Sequence, residues 1–494
     1  MKKEVFIGRE KELSLLNNLL KKKSASLVAI KGRRRVGKSR LIREFGQSFR
    51  LISLAGLAPS PGMTADKQRK AFAEQLVKTC HIPEPNSDNW TNLFHALGIE
   101  TALKTEPKSD AGRVIILLDE ISWMAQGDDT FLAKLKDAWD TQFQHNPQLI
   151  LVLCGSISSW IDKNILKNTA FVGRLSLILH LEELSLFESQ AFFGKQSMRM
   201  SAYEKFKILA VTGGIPKYLE EIIPEETAES NIQRLCFQKE GMLYFEFQTL
   251  FNDLFGRRSQ IYTDLLKALI KKPFATLQDI YQELGVNKQS IISDYLDDLE
   301  QAGFIRRHYT WKLHDQQESR HSQFHISDNY VRFYLKYIQP NARKIEKGDF
   351  DHPQISMDAL PAWDSIMGLQ FENLVLSNRR ALLKKLKINP ANILYDNPYF
   401  QKATQTQEGC QIDYLIQDKY NCLFIIEIKF SKNPIPKSVI TSVQEKIYKL
   451  PLTPHMSYRP VLIHVNGVDK SLEDENYFTH IINFGEFLKE DFSK

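Results

Sequence analysis

One octapeptide, Gly32-Arg33-Arg34-Arg35-Val36-Gly37-Lys38-Ser39, constrains this chain more than any other stretch. It follows an apolar run, Ser26-Leu27-Val28-Ala29-Ile30, and opens a helical pattern from Arg40 to Phe49. Strand, G-x-x-x-x-G-K-S loop and helix together form a phosphate cradle. The glycines let the backbone curl until several N–H groups point inward at a polyphosphate, and the helix N-terminus adds partial positive charge. Lys38 is spaced to pair with β- and γ-phosphates, and the Ser39 hydroxyl to hold Mg²⁺. Residues Gly32 to Arg40 are therefore the candidate cofactor-binding set, with ATP and Mg²⁺ as the expected cofactors.

A second run, Val114-Ile115-Ile116-Leu117-Leu118-Asp119-Glu120, ends in two acids. Its length and apolarity predict a buried parallel strand that delivers carboxylates to its C-terminal edge. There Asp119 serves the metal and Glu120 polarises the attacking water. A third run, Leu149 to Cys154, ends at Gly155-Ser156. Ser156 reads either as a γ-phosphate contact that positions water or as the N-cap of the next helix. Arg174, just before the run Leu175 to Leu181, reads either as an arginine finger offered to a neighbouring chain or as a surface arginine at a helix C-terminus.

A chain of 494 residues is too long for one core, and its length predicts about three domains. The net charge of +6 permits a nucleic-acid partner without demanding one. Cys80, Cys154, Cys236, Cys410 and Cys422 are scattered and form no C-x-x-C, which points to reduced thiols and a cytoplasmic setting. No apolar run has membrane-spanning length, and Met1 to Gly8 lacks the apolar core of a signal peptide, so no membrane partner is expected.

Phe6-Ile7-Gly8-Arg9-Glu10-Lys11-Glu12-Leu13 resembles the hhGRExEL box of AAA+ and STAND-like ATPases, and Gly213-Gly214-Ile215-Pro216-Lys217-Tyr218-Leu219 their GGxPxYL motif. With Gly32 to Ser39 and Gly173-Arg174, the N-terminal half, roughly residues 1 to 245, resembles the archaeal-type ATPase family. The resemblance implies that Ile7, Gly8 and Pro216 line the adenine side and that a helical lid covers the nucleotide.

Residues 260 to 310 carry three helical patterns, Ile261 to Lys271, Thr276 to Leu284 and Asn287 to Ala302, followed by a strand from Gly303. This is a winged-helix layout. Asn287, Lys288, Gln289 and Ser290 suit phosphate or base contacts, with Arg306 and Arg307 in the wing. Asp294, Asp297, Asp298 and Glu300 would repel a phosphate backbone, so the favoured reading is transmission of motion or protein binding. The aromatic stretch Phe324 to Tyr334 reads as core packing.

In Leu423-Phe424-Ile425-Ile426-Glu427-Ile428-Lys429-Phe430, Glu427 and Lys429 point to one face of a strand. Cys410 to Ile416 reads as a partner strand joined by a short turn, which brings Asp413 beside Glu427. Two carboxylates make a hard-oxygen site for Mg²⁺ or Mn²⁺, and a lysine there offsets charge on a scissile phosphate. Asp, spacer, Glu-x-Lys resembles the PD-(D/E)xK nuclease fold, although no proline precedes Asp413. The resemblance implies Glu372 as a further acid from the first helix, with Gln444 and Lys446 offered from a later one. Arg379, Arg380, Lys384, Lys385 and Lys387 read either as a phosphate-tracking surface or as the solvated face of a helix. The alternative for Glu427 and Lys429 is an exposed edge strand guarded against aggregation.

The expected architecture is α/β: a P-loop ATPase core (1–184), helical lid (185–250), winged helix (251–315), helical connector (316–349) and nuclease-like domain (350–494). The expected function is a nucleotide-controlled, metal-dependent nuclease with a nucleic-acid partner, self-associating on ATP binding. The alternative is a nucleotide-dependent signalling switch whose C-terminal domain binds without cutting.

Overall fold

Burial on both faces makes a strand read as an unbroken apolar run, and the three such runs of the N-terminal region form the middle of one sheet. The structure, a computed structural model, describes residues 5–60, 62–103, 112–287, 290–314, 317–351, 357–405 and 407–489. Lys288 and Gln289 of the third helical pattern lie outside the described residues. The chain divides into two compact units: Met1–Glu183 with Leu250–Ser259, and Leu184–Thr249 with Gln260–Lys494.

The first unit is built on β1 (Ser26–Gly32), β2 (Arg50–Ala55), β3 (Val114–Asp119), β4 (Leu149–Gly155) and β5 (Leu175–Leu181). They pair in parallel in the order β2-β3-β4-β1-β5. Helices Ala65–Cys80, Trp90–Leu103 and Phe131–Thr141 supply Phe72, Trp90, Phe94 and Phe131 to its core, where their rings meet mostly edge to face. This is the α/β P-loop layout, and it places the C-terminal ends of β1, β3 and β4 along one edge.

The N-terminal part of the second unit includes helices Ala202–Thr212 and Ala228–Cys236. Gly214, between them in sequence, packs closely on the Leu184 backbone, where a Cβ would stand 2.1 Å from Leu184 O. Helices Leu277–Leu284 and Ser290–Gln301 lead into β7 (Ile305–Lys312) and β8 (Gln317–Ile326), which with β6 (Ala275–Thr276) form an antiparallel sheet in the order β6-β8-β7. The boundary expected between 315 and 316 therefore falls inside a strand pair. Tyr330, Phe333 and Tyr334 are buried.

The C-terminal sheet is mixed. β9 (Ile393–Gln401), β10 (Cys410–Asp418) and β11 (Cys422–Lys429) run antiparallel, while β12 (Ser457–His464) and β13 (His480–Asn483) continue from β11 in parallel. Trp311 and Leu313, at the end of β7, belong to the same core as Leu415, Leu423 and Ile425. The three-stranded sheet and the C-terminal sheet thus share a core, where separate domains were expected. A buried polar network ties the same unit together. Gln370 Nε2 donates to Ala210 O and Asn329 O at 2.8 and 2.7 Å, and Asn373 Nδ2 donates to Asn329 Oδ1 at 2.9 Å. Buried polar groups satisfied in this way fix one arrangement of the helices that carry them.

Candidate functional site

The first cluster forms where β1, β3 and β4 end. Gly32 has φ +150°, and a Cβ on it would stand 2.3 Å from Leu181 O, whereas a Cβ on Gly37 (φ +91°) would meet nothing within 4 Å. The loop is thus tight against β5 at its start and open at its end. Lys38 is buried, and its ammonium donates to Gly32 O, Arg33 O and Ser156 Oγ at 2.9, 3.0 and 2.9 Å. These partners are two carbonyl oxygens and a hydroxyl, all neutral. Ser39 Oγ donates to Asp119 Oδ2 at 2.5 Å, a pairing of hydroxyl and carboxylate that suits a hard divalent cation. Ser156 donates through Oγ to Glu120 Oε1 at 2.5 Å and through its backbone N–H to Glu120 Oε2 at 3.1 Å. It makes no side-chain cap on the following helix, whose N-cap is Ile157.

The other loop residues are held within the same unit. Arg33 lies 3.5 Å from Glu183. Arg34 pairs with Asp253 and stacks over Trp123. Arg35 takes the left-handed conformation at φ 72°. Arg40 donates to Val5 O at 3.3 Å. Val36 is buried. Gly8 is left-handed, Ile7 beside it is half-buried, and Arg9 begins the helix Glu10–Leu19. Arg9 is a residue that sequence reasoning passed over. Its buried guanidinium donates to Val36 O at 3.0 Å and Glu182 O at 2.6 Å, clasping the phosphate loop to the exit of β5. Its place in the GRE box was the available signal.

Arg174 makes a two-pronged ion pair with Asp140 of the same chain, at 2.8 and 2.9 Å. Hydrogen bonding to Arg174 holds the Asp140 carboxyl down at about 2. In the second unit, Pro216 opens the helix Pro216–Leu219, where its fixed φ suits the first helical position.

The second cluster lies on β10 and β11 of the second unit. β11 runs between β10 and β12, so the edge-strand reading of Glu427 and Lys429 does not hold: Glu427 is fully buried. Glu427 Oε1 lies 2.7 Å from Lys429 Nζ, and its Oε2 accepts a bond from Lys446 Nζ at 2.5 Å. Lys446 also approaches Asp413 Oδ1 at 3.6 Å, while Asp413 Oδ2 accepts from Ile428 N at 2.8 Å. Burial works to raise the Glu427 carboxyl, and the ammonium groups of Lys446 and Lys429 overcome it, so Glu427 titrates below its ordinary range. Asp413 is raised, first by burial and then by Glu427. Glu372, on the helix Trp363–Ser377, is pushed up to about 8 by desolvation first and Asp413 second.

Asp413, Glu427, Lys429 and Lys446 therefore converge, with Glu372 in electrostatic reach. Among the described residues no three carboxylate, histidine or cysteine side chains meet at metal-holding distance; Lys446 spans the carboxylate pair instead. Gln444, expected in the same cleft, is exposed. Of the expected basic surface, Arg379 is paired with Asp396 and Lys385 with Glu486.

Comparison with known proteins bears on the first cluster. Residues 6–222 match the family described as an ATPase domain predominantly from Archaea. This part of the chain is an archaeal-type ATPase domain. The match supports ATP binding and hydrolysis by this part of the chain. The chain is similar to an uncharacterized protein of Methanocaldococcus jannaschii, with 25% identity over 374 residues that span 74% of this chain and 76% of the relative. In structure it is similar to a Walker-type ATPase of Pyrococcus abyssi, with TM-score 0.50 and 19% identity, over 67% of this chain and 96% of the other. That likeness concerns the fold. Among the described residues no helix is long and apolar enough to cross a membrane.

Proposed function

We propose that this protein is an ATPase whose nucleotide state controls a Mg²⁺- or Mn²⁺-dependent nuclease centre acting on nucleic acid. The observation that carries the reading is the convergence of Asp413, Lys429 and Lys446 on the buried Glu427 of a central strand. Burying two carboxylates together is unfavourable unless cations hold them. A divalent ion fits that demand, and Asp413 and Glu427 would hold it. When bound, it would supply a polarised water and stabilise charge on a scissile phosphate. This chain's own part is separate. Lys429 offsets developing charge on the phosphate, Lys446 orients the Glu427 carboxylate, and Glu372 supports the acid pair.

At the nucleotide site, Lys38 binds phosphate, Ser39 and Asp119 hold Mg²⁺, and Glu120, oriented by Ser156, takes the proton side of water activation. Ile7, Gly8 and Pro216 serve the adenine, and Arg174 serves a second copy of the chain. Coupling to the C-terminal centre has a physical basis in the second unit. The helix Ala202–Thr212 of the proposed lid accepts a hydrogen bond from Gln370, two residues from Glu372 on one helix. A displacement of the lid segment therefore reaches the acid cluster. The three-helix and three-strand region between them is the proposed winged helix, and it transmits this motion.

The deciding experiment is cleavage of single- and double-stranded DNA and RNA with Mn²⁺ or Mg²⁺, with and without ATP. The reading requires metal-dependent cleavage that disappears in Asp413→Ala and Glu427→Ala while ATP hydrolysis continues. Wild-type chain that binds Mn²⁺ no better than the double variant and cuts nothing would leave the signalling-switch alternative.

A further inference from the structure

A cavity of about 960 Å³ opens beside β7 and β8, with β9 and the end of the helix Val439–Tyr448 completing its wall. Two kinds of side chain line it. Trp311, Tyr399, Phe400 and Tyr448 are aromatic. Trp311 and Tyr399 are buried, but the Tyr448 ring is 88% exposed. Lys312, Lys402 and Lys449 are cationic. Glu408 is the acid among the lining residues, and it is already paired with Lys449 at 3.3 Å.

Two glutamines of the lining keep their side-chain oxygens away from the cavity. The side-chain oxygens of Gln323 and Gln401 are buried without a hydrogen-bond partner. The orientation of the Gln401 amide is set by its nitrogen, which donates to Glu408 O and Lys449 O, both at 2.7 Å.

We infer that this cavity binds a single-stranded nucleic-acid segment, DNA or RNA. An exposed aromatic ring beside cations is the element by which single strands are held, bases stacking on the ring and phosphates tracking the charge, and Tyr448 with Lys402 supplies it here. A double helix offers no open base faces, because its bases are stacked on one another. The volume lies in the range of small-ligand pockets, which suits a short strand and not a duplex. The helix that ends at Tyr448 also carries Lys446 to Glu427, so a strand seated here lies on the element that builds the acid cluster. The inference deepens the nuclease reading and rests on it for the class of ligand.

The test uses full-length chain in EDTA, so that binding is read without cutting. Fluorescence anisotropy follows a labelled single-stranded DNA of about 12 nucleotides, within known site sizes, the same sequence as RNA, and the DNA duplex. The expected result is preference for a single strand. Tyr448→Ala weakens it about tenfold, while Tyr448→Phe keeps wild-type affinity. Lys402→Gln lowers the slope of log affinity against log salt by about 0.7. The exposure of Tyr448 and Lys402 makes these variants safe for folding. No binding, equal binding of duplex, or wild-type affinity in both Tyr448→Ala and Lys402→Gln overturns the inference. Cleavage by the wild type in Mn²⁺ is measured separately. Cleavage that ignores Tyr448 removes this site and leaves the nuclease; Tyr448-dependent binding without cleavage removes the nuclease and leaves this site.

Discussion

Ser39 Oγ donates to Asp119 Oδ2 at 2.5 Å. The two residues come from the start of a helix and the end of a strand, and their contact joins the phosphate loop to the acid edge of the sheet. Beside it, Ser156 stands between Lys38 and Glu120, accepting from one and donating to the other.

This arrangement separates three variants. Lys38→Ala removes the charge that meets the phosphates, and ATP binding falls by about 100-fold or more, as expected for a lost charge-assisted contact of roughly 3 kcal/mol. Glu120→Gln keeps binding and lowers turnover by about 100- to 10,000-fold, the range of a lost general base. Ser156→Ala removes the hydroxyl bond to Glu120 and keeps the backbone one, so turnover falls less, about tenfold. Calorimetry for binding and phosphate release for turnover check all three; normal turnover in Glu120→Gln would overturn the assignment.

Arg174 and Asp140 form an intrachain pair, which makes two roles separable. With Arg174 acting on a neighbouring chain, Arg174→Ala lowers ATP hydrolysis by about 1,000-fold, whereas Asp140→Ala leaves it near wild type. Mixing Arg174→Ala with Lys38→Ala chains restores part of the activity, and sedimentation detects association on adding ATP. Equal loss in both variants with no association would make the pair structural.

Lys446 occupies the space between Asp413 and Glu427, where the proposed cation belongs. Lys446→Met removes the competing charge, so Mn²⁺ affinity rises several-fold while cleavage falls for want of an oriented Glu427. Glu427→Ala loses both. Lys429→Ala keeps Mn²⁺ and loses cleavage, since an ammonium is no ligand for a cation. Mn²⁺ titration followed by electron paramagnetic resonance reads affinity apart from activity. Weaker Mn²⁺ binding in Lys446→Met would count against the shared position.

His308 Nε2 lies 2.8 Å from His325 Nδ1, and both rings are buried. Desolvation lowers His308 to about 4, and desolvation followed by the charge of His308 holds His325 well below its ordinary range. A depressed histidine stabilises the fold fully above the unfolded value near 6.5 and loses that contribution as pH falls toward the folded value. Between pH 7.5 and 5 the loss is about 2 kcal/mol for His308 alone, an order-of-magnitude figure. Urea unfolding monitored by tryptophan fluorescence checks it: the midpoint falls below pH 6.5 in wild type and falls less steeply in His308→Gln. A flat midpoint down to pH 5 would contradict the buried neutral pair.

The parts legible in the sequence were those with local causes. The strand–loop–helix from Ser26 to Phe45 follows from glycine spacing beside an apolar run, and the match over residues 6–222 accords with that reading. The hairpin of β10 and β11 follows from alternation around a short turn, and it brings Asp413 to Glu427 as expected. Less was legible where a side chain's partner lies far along the chain. Nothing near Arg9 announces that its guanidinium will hold Val36 O and Glu182 O, and nothing near Arg174 announces Asp140.

By itself, the order of residues determined which chemistry each segment carries. Periodicity, turn residues and charge are set within a few positions, and backbone sterics translate them directly into strands, loops and helix starts. Tertiary structure alone decided how these groups are combined. It placed β11 inside the sheet, so that Glu427 is buried and Lys446 must meet its charge. It gave β7 and the C-terminal strands one core, so that Trp311, Tyr399 and Tyr448 line one cavity. Burial and partner choice depend on which surfaces the whole chain brings together, and no local pattern holds that information.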